Sequence, residues 1–128
     1  MERKTRQRDA IRDTIARTDR PLLPQEVLDA AQHLAPGLGI ATVYRTLKAL
    51  LAEGELQSVN LPGESSRFEL AQRPHHHHFQ CRDCSRVFDV HACPGNLSRL
   101  APQGFSVDGH DLTLYGRCKE CIAPLTRA

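Results

Sequence analysis

The chain has 128 residues, about one domain's length, with 40% hydrophobic residues, 25% charged residues and a net charge of +2 at neutral pH. No run approaches the roughly 18 apolar residues of a membrane span. The N-terminus, Met1-Glu2-Arg3-Lys4-Thr5-Arg6, leads into more charge and not into an apolar segment, so no secretory leader is expected and the expected location is the cytoplasm.

Charge is uneven along the chain. Residues 1–20 hold seven basic side chains (Arg3, Lys4, Arg6, Arg8, Arg12, Arg17, Arg20) against four acids, and the remainder holds ten against eleven. Any DNA contact therefore has to come from a local patch, since the overall charge does not demand one.

Residues 1–72 carry no cysteine and read as three helices and a hairpin. Ala10, Ile11, Thr14 and Ile15 lie at helical spacing within a first helix over about 5–17. Pro24 suits the first turn of a second helix, whose apolar stripe is Val27, Leu28, Ala31 and Leu34. Pro36-Gly37-Leu38-Gly39 breaks the chain. A third helix, about Ala41 to Glu53, turns Val43, Leu47, Leu50 and Leu51 inward and Tyr44, Arg45 and Lys48 outward, with Gly54 as its stop. Leu56–Leu61 and Arg67–Leu70 flank Pro62-Gly63 as a hairpin. Three helices and a hairpin match a winged helix-turn-helix. A helix fits the major groove, arginine reads guanine bidentately, and tyrosine or threonine contacts a thymine methyl. A helical bundle with a solvated third helix fits the same pattern.

Residues 73–128 begin at Arg73-Pro74, a hinge because the residue before proline is pushed out of helix. They hold all five cysteines and six of the seven histidines. A strand over Arg86–Val90, a helical turn over 96–101, and a hairpin of Phe105–Val107 with Asp111–Tyr115 predict a small α/β unit. About 55 residues is marginal alone, and metal or oligomerisation compensates. The expected class is thus α+β.

Cys81-Arg82-Asp83-Cys84 and Cys118-Lys119-Glu120-Cys121 are two Cys-x-x-Cys pairs, and two such knuckles close a four-thiolate structural zinc site. A redox role needs one such pair opening a helix in a thioredoxin-like context, and neither pair reads that way. His75-His76-His77-His78 precedes the first knuckle. If extended, the run points His75 and His77 to one face and His76 and His78 to the other, so it can serve two metal sites.

At this point the chain resembles the ferric uptake regulator family of metal-dependent repressors. The resemblance rests on Gly39-Ile40-Ala41-Thr42-Val43-Tyr44-Arg45-Thr46-Leu47, Phe68-Glu69-Leu70, the stretch His75 to Cys84, and Leu114 to Cys121. It implies a DNA-binding winged helix, a dimerisation domain, a structural zinc on Cys81, Cys84, Cys118 and Cys121, and a regulatory metal. One regulatory set carries over as Glu69, His76, His78 and Asp89. Many relatives add a histidine ahead of the second helix, and Leu22 stands at that place. The other set carries over as His75, His77 and His110. The helix region here is three residues shorter, so the carboxylate's place falls at or near Cys93, with His91 as a substitute. Cys93 as a buried packing residue is the alternative. A thiolate with imidazoles suits zinc, which points to the zinc uptake branch. Asp89 leaves the iron-sensing and peroxide-sensing branches open.

The resulting expectation is a homodimeric, zinc-responsive repressor on palindromic double-stranded operator DNA, with structural Zn2+ and a regulatory Zn2+ or Fe2+. It has no membrane partner and no small organic substrate. Thr42, Tyr44, Arg45, Lys48, Arg6 and Arg8 form the expected DNA-binding set, with Tyr44 and Arg45 at the bases and Arg6, Arg8 and Lys48 at phosphates. A metal-dependent hydrolase using Asp89 or Glu69 as base needs a pocket that no element here forms. A zinc-storage protein leaves Tyr44 and Arg45 without a purpose.

Overall fold

The computed structural model describes residues 3–122. Glu2 of the N-terminal charge cluster and the last six residues of the expected second domain lie outside them. The chain divides into two compact units, one ending at Arg73 and the other starting at Pro74.

The first unit is helical with a two-stranded wing. It runs α1 (Arg3–Arg17), α2 (Pro24–Ala31), α3 (Ile40–Ala52), β1 (Leu56–Val59) and β2 (Arg67–Leu70). Ile11 and Ile15 of α1, Val27 and Ala31 of α2, and Val43, Leu47 and Leu50 of α3 meet in one core with Leu56 and Phe68. Each large aliphatic side chain buried there contributes about 1.5–3 kcal/mol. Leu34 lies beyond the end of α2 and is 53% exposed, so the expected stripe stops at Ala31. Pro36-Gly37 and the positive φ of Gly37 (94°) turn the chain into α3, and Gly54 (φ 78°) ends that helix.

β1 and β2 pair antiparallel, Leu56 opposite Leu70 and Val59 opposite Arg67. Leu22 adds a bridge to this wing. Its N–H donates to Phe68 O at 3.0 Å, and Phe68 N–H donates back at 2.8 Å. The Leu22 side chain is 3% exposed and belongs to the core. Among the described residues, no helix is long and apolar enough to cross a membrane.

The second unit is built on β3 (His77–Cys81), β4 (Val87–Val90), a 3-10 turn (Ser98–Leu100), β5 (Thr113–Gly116) and α4 (Lys119–Ile122). The sheet order is β4-β3-β5, with β4 antiparallel and β5 parallel to the central strand. Here the structure corrects the expected second hairpin. Phe105–Val107 is not a strand, and Phe105 is 70% exposed. The run is three residues long between Gly104 and Gly109, too short to form a ladder, and the edge of β3 offers β5 a longer partner. The true hairpin is β3–β4, closed over the first cysteine pair. The expected helix over 96–101 shrinks to one 3-10 turn between Pro94-Gly95 and Pro102. The second cysteine pair does open a helix, α4, whose first turn ends the described residues.

Candidate metal centres and nucleic-acid interface

Cys81 ends β3 and Cys84 lies in the turn that follows. The parallel register sets Cys81 beside Gly116, which brings Cys118 and Cys121 alongside the first pair. Their four sulfurs all lie within 4.8 Å of one another, and Cys84 Sγ to Cys118 Sγ is 3.8 Å. Tetrahedral zinc with bonds of about 2.3 Å requires sulfurs about 3.8 Å apart, so the cage fits that ion. All four cysteines are free thiols, converging on one point instead of pairing, as zinc ligation requires and disulfide exchange does not.

The thiols differ in their surroundings. Burial opposes a Cys81 thiolate, but backbone N–H groups of Cys84, Cys118 and Asp83 outweigh it and bring the pKa down to about 6. The Cys84 and Cys118 amides reach Cys81 Sγ at 3.4 and 3.3 Å. Cys84 is also lowered, against its burial, chiefly by a hydrogen bond from Arg86. Cys121 is pushed up to about 12 by its contacts with the Cys118 and Cys81 sulfurs, and by burial. Zinc supplies the positive charge this crowding of sulfur calls for, and its binding releases the remaining protons.

The histidine run splits as its alternation predicts. His75 Nε2 lies 3.0 Å from His77 Nε2, His77 Nε2 lies 3.4 Å from Cys93 Sγ, and Cys93 Sγ lies 3.3 Å from His110 Nε2. Four-coordinate zinc with Zn–N of about 2.05 Å and Zn–S of about 2.3 Å spaces its ligand atoms about 3.3–3.6 Å apart. These three separations are within a few tenths of an ångström of that spacing, and all four ligand atoms lie within 4.8 Å of one another. Cys93 is exposed in this chain, unlike the buried packing residue that is its alternative reading. His91 is also exposed and stands outside this group. The His77 pKa is lowered by burial first and then by His75 and His110, which favours the neutral ring a metal needs. One contact runs against ligation as drawn. Leu112 N–H donates to His77 Nδ1 at 3.1 Å, which leaves the proton of the neutral ring on Nε2, the atom facing the cluster.

On the opposite face, His76 Nε2 and His78 Nε2 each lie 3.9 Å from Asp89 Oδ1. The β3–β4 register sets His78 directly across from Asp89. His76 Nδ1 donates to Pro74 O at 2.8 Å, which sets Nε2 as the ring's acceptor nitrogen. Glu69 stands in the first unit, buried in β2, where its carboxylate accepts from Gln57 and, at 3.5 Å, from Arg73. Leu22, buried in the core of that unit, offers no ligand atom.

On α3, Tyr44 is 58% exposed, and Arg45 and Lys48 are exposed as well. Thr42 is half-buried, and its hydroxyl accepts from Arg45 Nη2 at 3.0 Å. A groove between α1 and α3 is lined by Lys4, Thr5, Arg8, Thr42 and Arg45. Arg6 is exposed. Arg8 is held by Glu53 and, at 3.2 Å, by Glu55, so its charge is already shared. The sequence reading gave no role to Arg86 or to the Leu112 amide. Both act only through the way the β3–β4 turn and the β5 pairing fold.

A winged helix carrying exposed basic side chains, joined to a unit with converging thiol and imidazole groups, defines a metal-responsive DNA-binding regulator. The model of the ferric uptake regulator family matches residues 2–115. The chain is 34% identical to the ferric uptake regulation protein of Campylobacter jejuni, over 91% of this chain and 78% of that protein. It is 30% identical to the zinc uptake regulation protein of Mycobacterium tuberculosis, over 93% and 94%. Among solved structures, a zinc-bound manganese uptake regulator aligns with a TM-score of 0.78 at 25% identity, covering 88% of this chain and 87% of that one. The chain belongs to the ferric uptake regulator family. It is a metal-dependent, DNA-binding transcription regulator, not an enzyme.

Proposed function

We propose that this protein is a zinc-responsive repressor, acting in the cytoplasm as a homodimer on palindromic operators. The observation that carries the choice of metal is Cys93 Sγ, 3.4 and 3.3 Å from the Nε2 atoms of His77 and His110. A thiolate with imidazoles favours zinc over ferrous iron or manganese, whose usual sites are richer in oxygen. In this reading His75, His77, Cys93 and His110 hold the regulatory zinc, and Cys81, Cys84, Cys118 and Cys121 hold the structural one. His76, His78 and Asp89, with Glu69 added by family pattern, form a second regulatory site.

Tyr44 and Arg45 read base edges, supported by Thr42, while Lys48 and Arg6 hold phosphates. Arg8 contributes less, because Glu53 and Glu55 already share its charge. The exposed apolar side chains Leu114 and Tyr115 on β5, with Leu100 and Phe105, support burial against a second copy. Metal acts by population shift, binding the DNA-competent arrangement more tightly than the incompetent one by a few kcal/mol.

The test is metal analysis of the purified protein together with operator binding under zinc, ferrous iron and manganese at one stated salt concentration. Zinc should activate at the lowest free metal concentration. Activation by iron or manganese at equal or lower free concentration would overturn the choice of metal.

A further inference from the structure

Arg86 lies where the turn after the first cysteine pair enters β4, and the proposed function assigns it no part. Its backbone is fixed in the knuckle, since its carbonyl accepts from Cys81 N–H at 3.0 Å. Its side chain folds back over the sulfurs. Nε donates to Cys84 Sγ at 3.3 Å, and Nη2 approaches Cys118 Sγ at 3.9 Å. The same Nη2 lies 3.4 Å from Glu120, inside the second cysteine pair, and the guanidinium carbon sits 5.4 Å from the centre of the Phe88 ring. The planar fork thus reaches one sulfur from each Cys-x-x-Cys pair.

We propose that Arg86 is a positioning residue for the four-thiolate zinc, clamping the two knuckles together and offsetting part of the site's charge. Zinc with four thiolates carries a net charge of −2, and the protein has to compensate it. Backbone amides serve Cys81, and Arg86 serves Cys84 and Cys118. Lysine carries the charge but cannot span two sulfurs as a rigid fork does. Groups that hydrogen-bond to metal ligands typically govern affinity by 10–100-fold.

The proposal rests on the structural-zinc reading, and the experiment separates the two. Full-length protein carrying Cys93→Ser, so that no other thiol contributes, is loaded with zinc or cobalt. Zinc affinity is read by competition with a chromophoric chelator, and the sulfur-to-cobalt charge-transfer band is recorded. Arg86→Gln should lower zinc affinity by about 10–100-fold. It should also move the band to lower energy, because sulfur that loses a hydrogen bond gives up its electron more readily. Arg86→Lys should fall between. Arg82→Ala removes a neighbouring cation that stacks on Tyr115 instead, 4.7 Å from the ring centre, and should match the parent in both readouts.

Arg86→Gln within about twofold of its parent, with an unshifted band, would overturn the proposal. If Arg86→Gln does not fold, Arg86→Lys decides. An intermediate affinity with a shifted band supports the clamp, and parental values overturn it. A parent lacking four-thiolate cobalt absorption would remove the structural-zinc reading and this proposal with it, whereas an intact parent band with an indifferent Arg86 removes the proposal alone.

Discussion

Cys93 brings polarisable sulfur to a group otherwise made of three imidazoles. Its Sγ also accepts from Gly95 N–H at 3.4 Å, which orients it toward His77 and His110. With zinc filling the structural site, cobalt in this second site should show a sulfur-to-metal band that Cys93→Ser abolishes. The same substitution should weaken metal-activated DNA binding and leave the structural zinc in place. A Cys93→Ser protein with the parent's zinc response would return the choice of metal to iron or manganese. Arg45 is the other single residue on which much depends. If it reads a base edge, Arg45→Ala should cost operator binding about 1–3 kcal/mol and relax specificity at one base pair. Gel shifts on operator variants distinguish this from a phosphate contact, where all sequences weaken alike and the salt slope drops. At this scale the cluster was largely legible. Strand alternation pairs His75 with His77, and family position adds Cys93 and His110. Arg86 was not legible, because its reach to two sulfurs exists only once the knuckle has turned.

Among the elements, the three helices and the wing follow from apolar spacing and from the proline and glycine breaks between them. The second sheet does not. Alternation marks Asp111–Tyr115 as a strand but carries no information about its partner, and the neighbouring run at Phe105–Val107 invited a hairpin that does not form. Pairing β5 with β3 sets Leu112 N–H against His77 Nδ1. A neutral imidazole bound to metal through Nε2 carries its proton on Nδ1, where the Leu112 amide now donates. Zinc binding should therefore break this hydrogen bond. The Leu112 amide should shift in a proton–nitrogen correlation spectrum and exchange faster with solvent as the regulatory site fills. An unmoved Leu112 resonance at full occupancy would exclude His77 Nε2 as a ligand.

At the scale of the whole molecule, the second unit is a three-stranded sheet whose largest buried side chains are few, and two external supports are at hand. One is the four-thiolate site, where ligation is folding free energy. Cys118→Ser should lose about one zinc per subunit and with it the dimer, as read by metal analysis and sedimentation. The other is a second copy. β5 is an edge strand by sheet order, with Leu114 54% and Tyr115 44% exposed. Leu114→Glu should yield a zinc-containing monomer with weakened operator binding, since half-site pairing needs two helices at fixed spacing. A dimeric Leu114→Glu protein would move the interface elsewhere.

The histidine run also shapes how such a protein can change over generations. In the proposed reading two ion sites share four consecutive codons, His75 and His77 belonging to one group and His76 and His78 to the other. A point mutation in the run touches a single site and leaves the other to be retuned independently. A one-codon insertion or deletion between His76 and His78 shifts side-chain parity within the run and damages both at once. Variation here should thus accumulate as substitutions, with the length of the run held fixed.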